Sequence, residues 1–357
     1  MMPHRSGWVL LAAAAAALAA STPGSAQLEP RRLRVLGGGA DASLYRVQAA
    51  TFSGSDLLVL SGAAPAVHLF EGNRQRSWGR RGRGPAELTR PQNIVWSGTR
   101  VLVRDSELRK IASYDRAGNF LGTRPLSGGM VVRLEMAGRD TLVEFFGQQT
   151  QTVVRLRGAR QDTLFRYGHS GEVIRLSAPG APSLTMPPPF APRAAWAPLP
   201  DGRIAFWDGQ ENAVRLLDGN GRVVARLPLP ADRHPVTGPD REAWFATAIP
   251  SEIRGQNVFA PLRREARSQV RFPARFPPVL SLRGDPSGAV WVQQTPSATG
   301  QRWVILKQGQ PPVHVRLPSR QTLLAIGGSE LATLAKDADE VESIHVYAHP
   351  QRTGARR

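Results

Sequence analysis

The sequence contains no cysteine. Disulfides are therefore excluded, and so is a lipid anchor carried on an N-terminal cysteine. Lysine is nearly absent: Lys110, Lys307 and Lys336 are the whole complement, and arginine supplies the rest of a formal charge of +18. With alanine, glycine and proline abundant, that imbalance reads as coding bias; selected attraction to a polyanion is the alternative. The arginines are scattered, with clusters only at Arg80-Arg81-Gly82-Arg83 and within 352–357. Nucleic acid is accordingly not the expected partner. Long apolar runs are missing as well. The run from Trp8 to Ala20 falls short of the roughly 20 residues that a spanning helix needs. Preceded by Arg5 and followed by the small residues Gly24 and Ala26, it reads as a signal peptide over residues 1–26, cleaved after Ala26. The expected mature chain has no membrane span, is exported to the periplasm or beyond, and is a monomer.

Motifs of catalysis are also lacking. There is no Gly-x-Ser-x-Gly elbow, no phosphate loop and no His-Glu-x-x-His. His68, His169, His234, His314, His345 and His349 show no short metal-ligand spacing, and His68, His314 and His345 read as exposed strand residues. No catalytic residue, metal or cofactor is assigned.

Repetition is what the chain does have. A glycine turn, an apolar strand, a second apolar strand and another turn recur from Gly54, Gly98, Gly138, Gly202, Gly288 and Gly328. Gly54 to Gly98 spans 44 residues, and Gly98 to Gly138 and Gly288 to Gly328 span 40 each. Four short antiparallel strands with tight turns need about 40–50 residues, and such a unit must stack on copies of itself to bury its faces. The pattern therefore predicts an all-β fold, a six-bladed β-propeller of four-stranded antiparallel blades over residues 27–350, with 351–357 a basic disordered tail. A seventh blade within the longest gap is the alternative count.

Expected innermost strands are Arg46–Ala50, Asn93–Trp96, Val131–Glu135, Ala194–Ala197, Val279–Arg283 and Thr322–Ile326. The last copy has no room for an outer strand before Pro350, so Arg32–Leu36 is expected to supply it and close the ring. The two long gaps read as rim insertions, 177–192 as loop or extended chain and 232–273 with a short helix through Arg241–Phe245. In that helix Asp240 is the expected cap and Pro250 the stop.

The stretch Trp78-Gly79-Arg80-Arg81-Gly82-Arg83-Gly84-Pro85-Ala86-Glu87-Leu88 resembles the Gly-Arg-x-Gly-x-Gly-Pro-Gly-Glu-Phe signature of bacterial six-bladed propellers related to NHL repeats. Ala86 stands where glycine is usual and Leu88 where phenylalanine is. The resemblance implies that this segment crosses from one blade to the next, and that the protein is exported. Lyases and lactonases on related propellers hold an axial metal with histidines or carboxylates. This chain offers only Glu135 and Asn93 near expected inner strands.

Candidate ligand residues are Arg80, Arg81 and Arg83, where glycines expose amides beside guanidinium groups, together with Arg46, Asn93 and Glu135. Glu87 pairing an arginine within a plain crossover is the competing reading of that loop. Asp105 and Asp208 end strands and should bind local backbone; Trp196, Trp207, Trp291 and Trp303 should pack between blades. The sequence thus points to a non-catalytic binding propeller for a protein, peptide or anionic envelope component. A metal-assisted lyase or hydrolase at the channel is the alternative.

Overall fold

The computed structural model describes residues 27–351 except 38–43, 65, 73, 149, 159, 169–171, 182, 250–259, 297–299 and 338. The expected signal peptide, the tail beyond Gln351, His169 and Pro250 lie outside the described residues. Strand β1 (Arg32–Gly37) opens the chain. Blade 1 follows as β2 (Val47–Ser53), β3 (Asp56–Ser61), β4 (Val67–Glu71) and β5 (Arg74–Trp78). Blade 2 is β6 (Pro91–Trp96), β7 (Val101–Asp105), β8 (Lys110–Tyr114) and β9 (Phe120–Pro125). Blade 3 is β10 (Met130–Ala137), β11 (Asp140–Phe146), β12 (Thr150–Arg157) and β13 (Arg160–Gly168).

After a hairpin of β14 (Ile174–Leu176) and β15 (Leu184–Met186), blade 4 is β16 (Ala195–Pro198), β17 (Ile204–Trp207), β18 (Ala213–Leu217) and β19 (Val223–Pro228). Two helices, α1 (Gly238–Ala248) and α2 (Ala260–Gln269), precede blade 5. That blade is β20 (Ser281–Gly284), β21 (Val290–Gln293), β22 (Gln301–Leu306) and β23 (Val313–Leu317). Blade 6 takes β24 (Gln321–Ile326), β25 (Glu330–Lys336) and β26 (Glu342–Ala348) from the end of the chain and β1 from its start, in the order β1-β26-β25-β24. All six four-stranded sheets are antiparallel. The six-bladed ring and its closing strand are as the repeats predict, and helices rather than a seventh blade fill the longest gap.

Each blade presents two apolar faces, and the cores lie between blades. One cluster joins Leu58, Val67 and Leu69 of blade 1 to Ile94, Val101 and Val103 of blade 2. Five further clusters join blades 2 and 3, 3 and 4, 4 and 5, 5 and 6, and 6 and 1. Trp196, Trp207 and Trp291 are all but fully buried there, and Trp303 nearly so. Burying one such side chain contributes about 1.5–3 kcal/mol.

Middle strands packed on both faces also explain a correction. His68 on β4 is expected to be exposed from its alternation, yet it is fully buried, its Nδ1 at 2.9 Å from the Ser77 hydroxyl. His314 and His345 are half-buried. Alternation predicts exposure only where one face of a sheet meets water.

The insertions differ from expectation in detail. The segment 177–192 contains β15, hairpinned to β14. Helix α1 starts earlier than Asp240: Thr237 is its cap residue, and the Asp240 carboxylate accepts from the Thr237 amide at 2.9 Å and hydroxyl at 2.6 Å. A three-residue reach back from the first turn satisfies the cap residue's own donor. The same insertion holds a second helix, α2, beyond the one expected; its Leu262 and Ala266, four apart, are buried. Both insertions pack together, since Leu176, Ile249, Leu262, Ala266 and Val270 share a core distinct from the blades, and Gln269 donates to the Ser177 carbonyl at 3.4 Å. No helix among the described residues is long and apolar enough to cross a membrane.

Candidate functional site

Strands β2, β6, β10, β16, β20 and β24 stand innermost in their blades and enclose a cavity of about 500 Å³ on the ring axis. Four of them slip register near the end at which they enter: Gln48, Gln92, Val132 and Leu324 are the extra residues in β2, β6, β10 and β24. An added residue bends the strand and re-aims its neighbours. Gln48, Thr51, Asn93, Arg133 and Glu135 from the bulged strands line the cavity together with Arg283 from the regular β20.

Arg133 is held on three sides. Its Nε donates to Glu135 Oε1 at 2.8 Å, its Nη1 to the Trp196 carbonyl at 2.7 Å, and its guanidinium lies 4.4 Å from the Trp196 ring centroid. Arg283 has no such support: its side chain makes no hydrogen bond among the described residues, and the part-buried residue lines the channel wall. Burial lowers the pKa of its guanidinium first; the charge of Arg133 lowers it further, and Glu135 opposes.

A smaller cavity of about 280 Å³ shares both arginines and reaches Glu144, Tyr167 and Trp196, together with Ala194 and Leu280 at the feet of the two insertions. There the Tyr167 hydroxyl lies against Glu144 and Gln151, and Trp196 Nε1 donates to Glu144 Oε2 at 3.2 Å. Burial, then the Glu144 carboxylate, raise the Tyr167 pKa well above the usual tyrosine range, so the phenol stays a neutral donor. Among the described residues no group of three or more histidine, aspartate or glutamate side chains is placed to hold a metal ion.

Neither a protein-family model nor a curated protein matches this chain. Several solved structures are similar in shape. A putative exported protein from Bacteroides fragilis is 10% identical, over 91% of this chain and 99% of that one, with a TM-score of 0.46. The calcium-binding protein regucalcin from Agrobacterium tumefaciens is 11% identical over 90% and 96%, also at 0.46. Virginiamycin B lyase from Staphylococcus aureus is 9% identical over 85% and 84%, at 0.41.

Of the residues singled out from sequence, Asn93 and Glu135 meet in the channel. Asn93 Oδ1 accepts from Arg104 Nε at 2.6 Å, while Arg104 Nη1 reaches the Val131 carbonyl at 2.8 Å; burial lowers the Arg104 pKa to about 10 against the opposing pull of Asp105. Arg46 stands exposed at the head of β2 with a left-handed φ of 54°, its carbonyl accepting from Gly62.

Arg80, Arg81 and Arg83 lie apart, in the crossover from β5 to β6. The loop's amides are used within the protein: Glu87 Oε2 accepts from Gly84 at 2.9 Å, the Gly82 amide donates to the Leu88 carbonyl at 3.3 Å, and a Cβ on Gly82 would collide with the Glu87 carboxylate. Lys110 Nζ holds the Gly84 and Pro85 carbonyls at 2.9 Å each, and Tyr114 donates to Ala86 at 2.9 Å. Arg80 and Arg83 point outward, 3.7 and 3.8 Å from Glu87 and Glu107. Asp105 accepts from the Thr89, Arg90, Glu107 and Leu108 amides, and Asp208 from those of Gln210 and Glu211, as expected of turn aspartates.

His234 and His314 share surroundings with Asp232 and Arg302. Burial first, then Arg302, lower the His234 pKa, against a Gln294 hydrogen bond and Asp232; burial also lowers His314, with Asp232 opposing and Arg302 assisting. A depressed folded pKa means the unfolded chain takes up protons first as pH falls. The contribution is complete above the ordinary histidine value of 6.5 and is lost below it. The melting temperature should therefore fall between pH 7.5 and 5.5 in calorimetry. The doubly substituted His234→Gln, His314→Gln protein should show a shallower slope; an unchanged slope would assign the effect elsewhere.

Proposed function

We propose that the protein is an exported, non-catalytic binding propeller that takes a protein, peptide or envelope ligand through the rim where chain crosses from blade to blade. The observation that carries this reading is the packing of both insertions into one cap whose feet, Ala194 and Leu280, border the arginine pair at the channel end. Insertions that build a shared core beside a polar cavity create a walled recess, and such recesses on a rigid scaffold suit selective binding.

The reading is tested with a photo-crosslinking residue at Ala194 and, as a control, at the exposed Val223 on the outer strand of blade 4. A ligand from the envelope fraction captured at 194 and absent at 223 is the expected result. Equal labelling at both positions, or a stoichiometric, tightly held metal in elemental analysis of the purified protein, would overturn it.

A further inference from the structure

We propose that Arg283, assisted by Arg133, is the receptor for a single carboxylate entering the channel from the capped rim. The inference rests on the binding reading above and names the chemistry that the recess would select.

Charge pairing supports one anion. Arg133 is matched by Glu135 at 2.8 Å, whereas Arg283 forms no ion pair of its own among the described residues. An enclosed cation without a hydrogen-bonding partner is costly, and the cost is met by water or by a ligand oxygen. Five N–H groups of Arg283, and those on Arg133 not used by Glu135 and Trp196, offer the planar fork that a carboxylate fits with two parallel bonds.

The surroundings select against more highly charged ligands. Glu135 and Glu144 flank the two arginines, so a phosphate dianion or a polyanion would bring its extra charge against them. The Arg133 guanidinium is fixed over Trp196 and on its carbonyl, which presents the remaining donors without a further loss of side-chain freedom. Amide side chains of Gln48 and Asn93 line the channel beyond and can pair with the polar groups that follow a carboxylate. Both a chain terminus and a small organic acid carry this group, and the probes below separate them.

The test uses the whole mature protein and follows arginine Nε–H resonances by NMR, with the Arg283 signal assigned by its loss in Arg283→Gln. Probes are acetate, N-acetyl-trialanine as the free acid, the same peptide as its C-terminal amide, and inorganic phosphate. The Arg283 resonance should shift on titration with a carboxylate, and the amide should leave it in place. A chain terminus is indicated if the tripeptide acid binds more tightly than acetate, a small acid if the order is reversed. Affinity for the better carboxylate should fall at least about tenfold in Arg283→Gln, the size expected for charge-assisted hydrogen bonds.

Removing an unpaired, enclosed cation should leave the melting temperature unchanged or higher, so lost binding in that variant is not lost folding. The proposal is overturned if neither acid shifts the resonance, if phosphate binds as tightly as the acids, or if Arg283→Gln binds normally. A rim ligand captured at Ala194 whose affinity ignores Arg283→Gln would overturn this inference and leave the binding reading standing; absence of any rim ligand would remove the latter.

Discussion

A chain shortened by removal of residues 27–37 should lose its cooperative fold, or melt about 10 °C lower, because the ring is then open. Strand β1 pairs with β26 from Arg32↔Tyr347 to Gly37↔Ser343, and Arg34 clamps Glu330 through two contacts of 2.6 and 2.7 Å. The segment before it reaches the neighbouring blade, where the Leu28 amide donates to the His314 carbonyl at 2.8 Å and Arg316 donates back to Leu28 at 2.9 Å. These eleven residues therefore fasten blade 5 to blade 6 as well as completing blade 6. Each of the backbone bonds is worth about 1 kcal/mol net, and their sum exceeds the margin of many domains. Loss of β1 also bares the edge of β26, a template for association with other chains. Calorimetry and size-exclusion chromatography would report both consequences. Adding a peptide of sequence 27–37 in trans should restore part of the lost stability, since strand addition to a bare edge needs no change elsewhere. A shortened chain that melts as the full one does would show that β1 is not the closure.

The ring was readable from the chain because its repeat is written in local chemistry. Gly54, Gly98, Gly138, Gly202 and Gly288 all adopt left-handed φ, from 57° to 89°, in the turn between the first and second strands of their blades. A residue with a side chain is strained there, so glycine recurs at the blade period and can be counted. The channel was half legible. Glu135 and Asn93 could be placed because they lie in apolar strands where a polar residue stands out. Arg133 and Arg283 lie in the same expected strands, yet in a chain so rich in arginine they carried no contrast. What marks Arg283 is the absence of a hydrogen-bonding partner among the described residues, a tertiary fact. The bulges that aim Gln48 and Arg133 leave no trace in composition either. For the Arg80–Arg83 loop, sequence showed cations and free amides together; only the structure shows that the Glu87 carboxylate takes the Gly84 amide and the Leu88 carbonyl the Gly82 amide. Helix α2 went unread: its only signal, Leu262 and Ala266 four residues apart in an otherwise polar run, is short and carries Pro261 in its first turn.

Asp285→Ala should cost about 3 kcal/mol of stability, the largest effect expected of any single substitution away from the hydrophobic clusters. Asp285 follows β20 in the turn to β21, its side chain fully shielded. Its Oδ1 accepts from the Ser287 amide and hydroxyl at 2.7 Å each and from the Ala289 amide at 3.0 Å, and its Oδ2 from Trp291 Nε1 at 3.1 Å. His349, just past β26, approaches the same oxygen to 3.7 Å, so one carboxylate ties blade 5 to the end of the chain that closes the ring. Alanine would strand four donors; asparagine, which keeps one acceptor, should cost less.

The pH dependence identifies the cause. Burial raises the Asp285 pKa, but the nearby His349 ring and the hydrogen bonds from Ser287, Trp291 and Ala289 outweigh it and leave the pKa below the usual aspartate value of 3.8. A carboxylate depressed in the folded state stabilises the fold above its unfolded pKa and loses that contribution as pH falls through the folded one. Guanidinium-chloride unfolding of the parent and of Asp285→Ala should therefore show a full gap at pH 7 that narrows only below about pH 4. A gap that stays constant into that acid range would mean that the shape of the side chain, and not its charge, holds the turn.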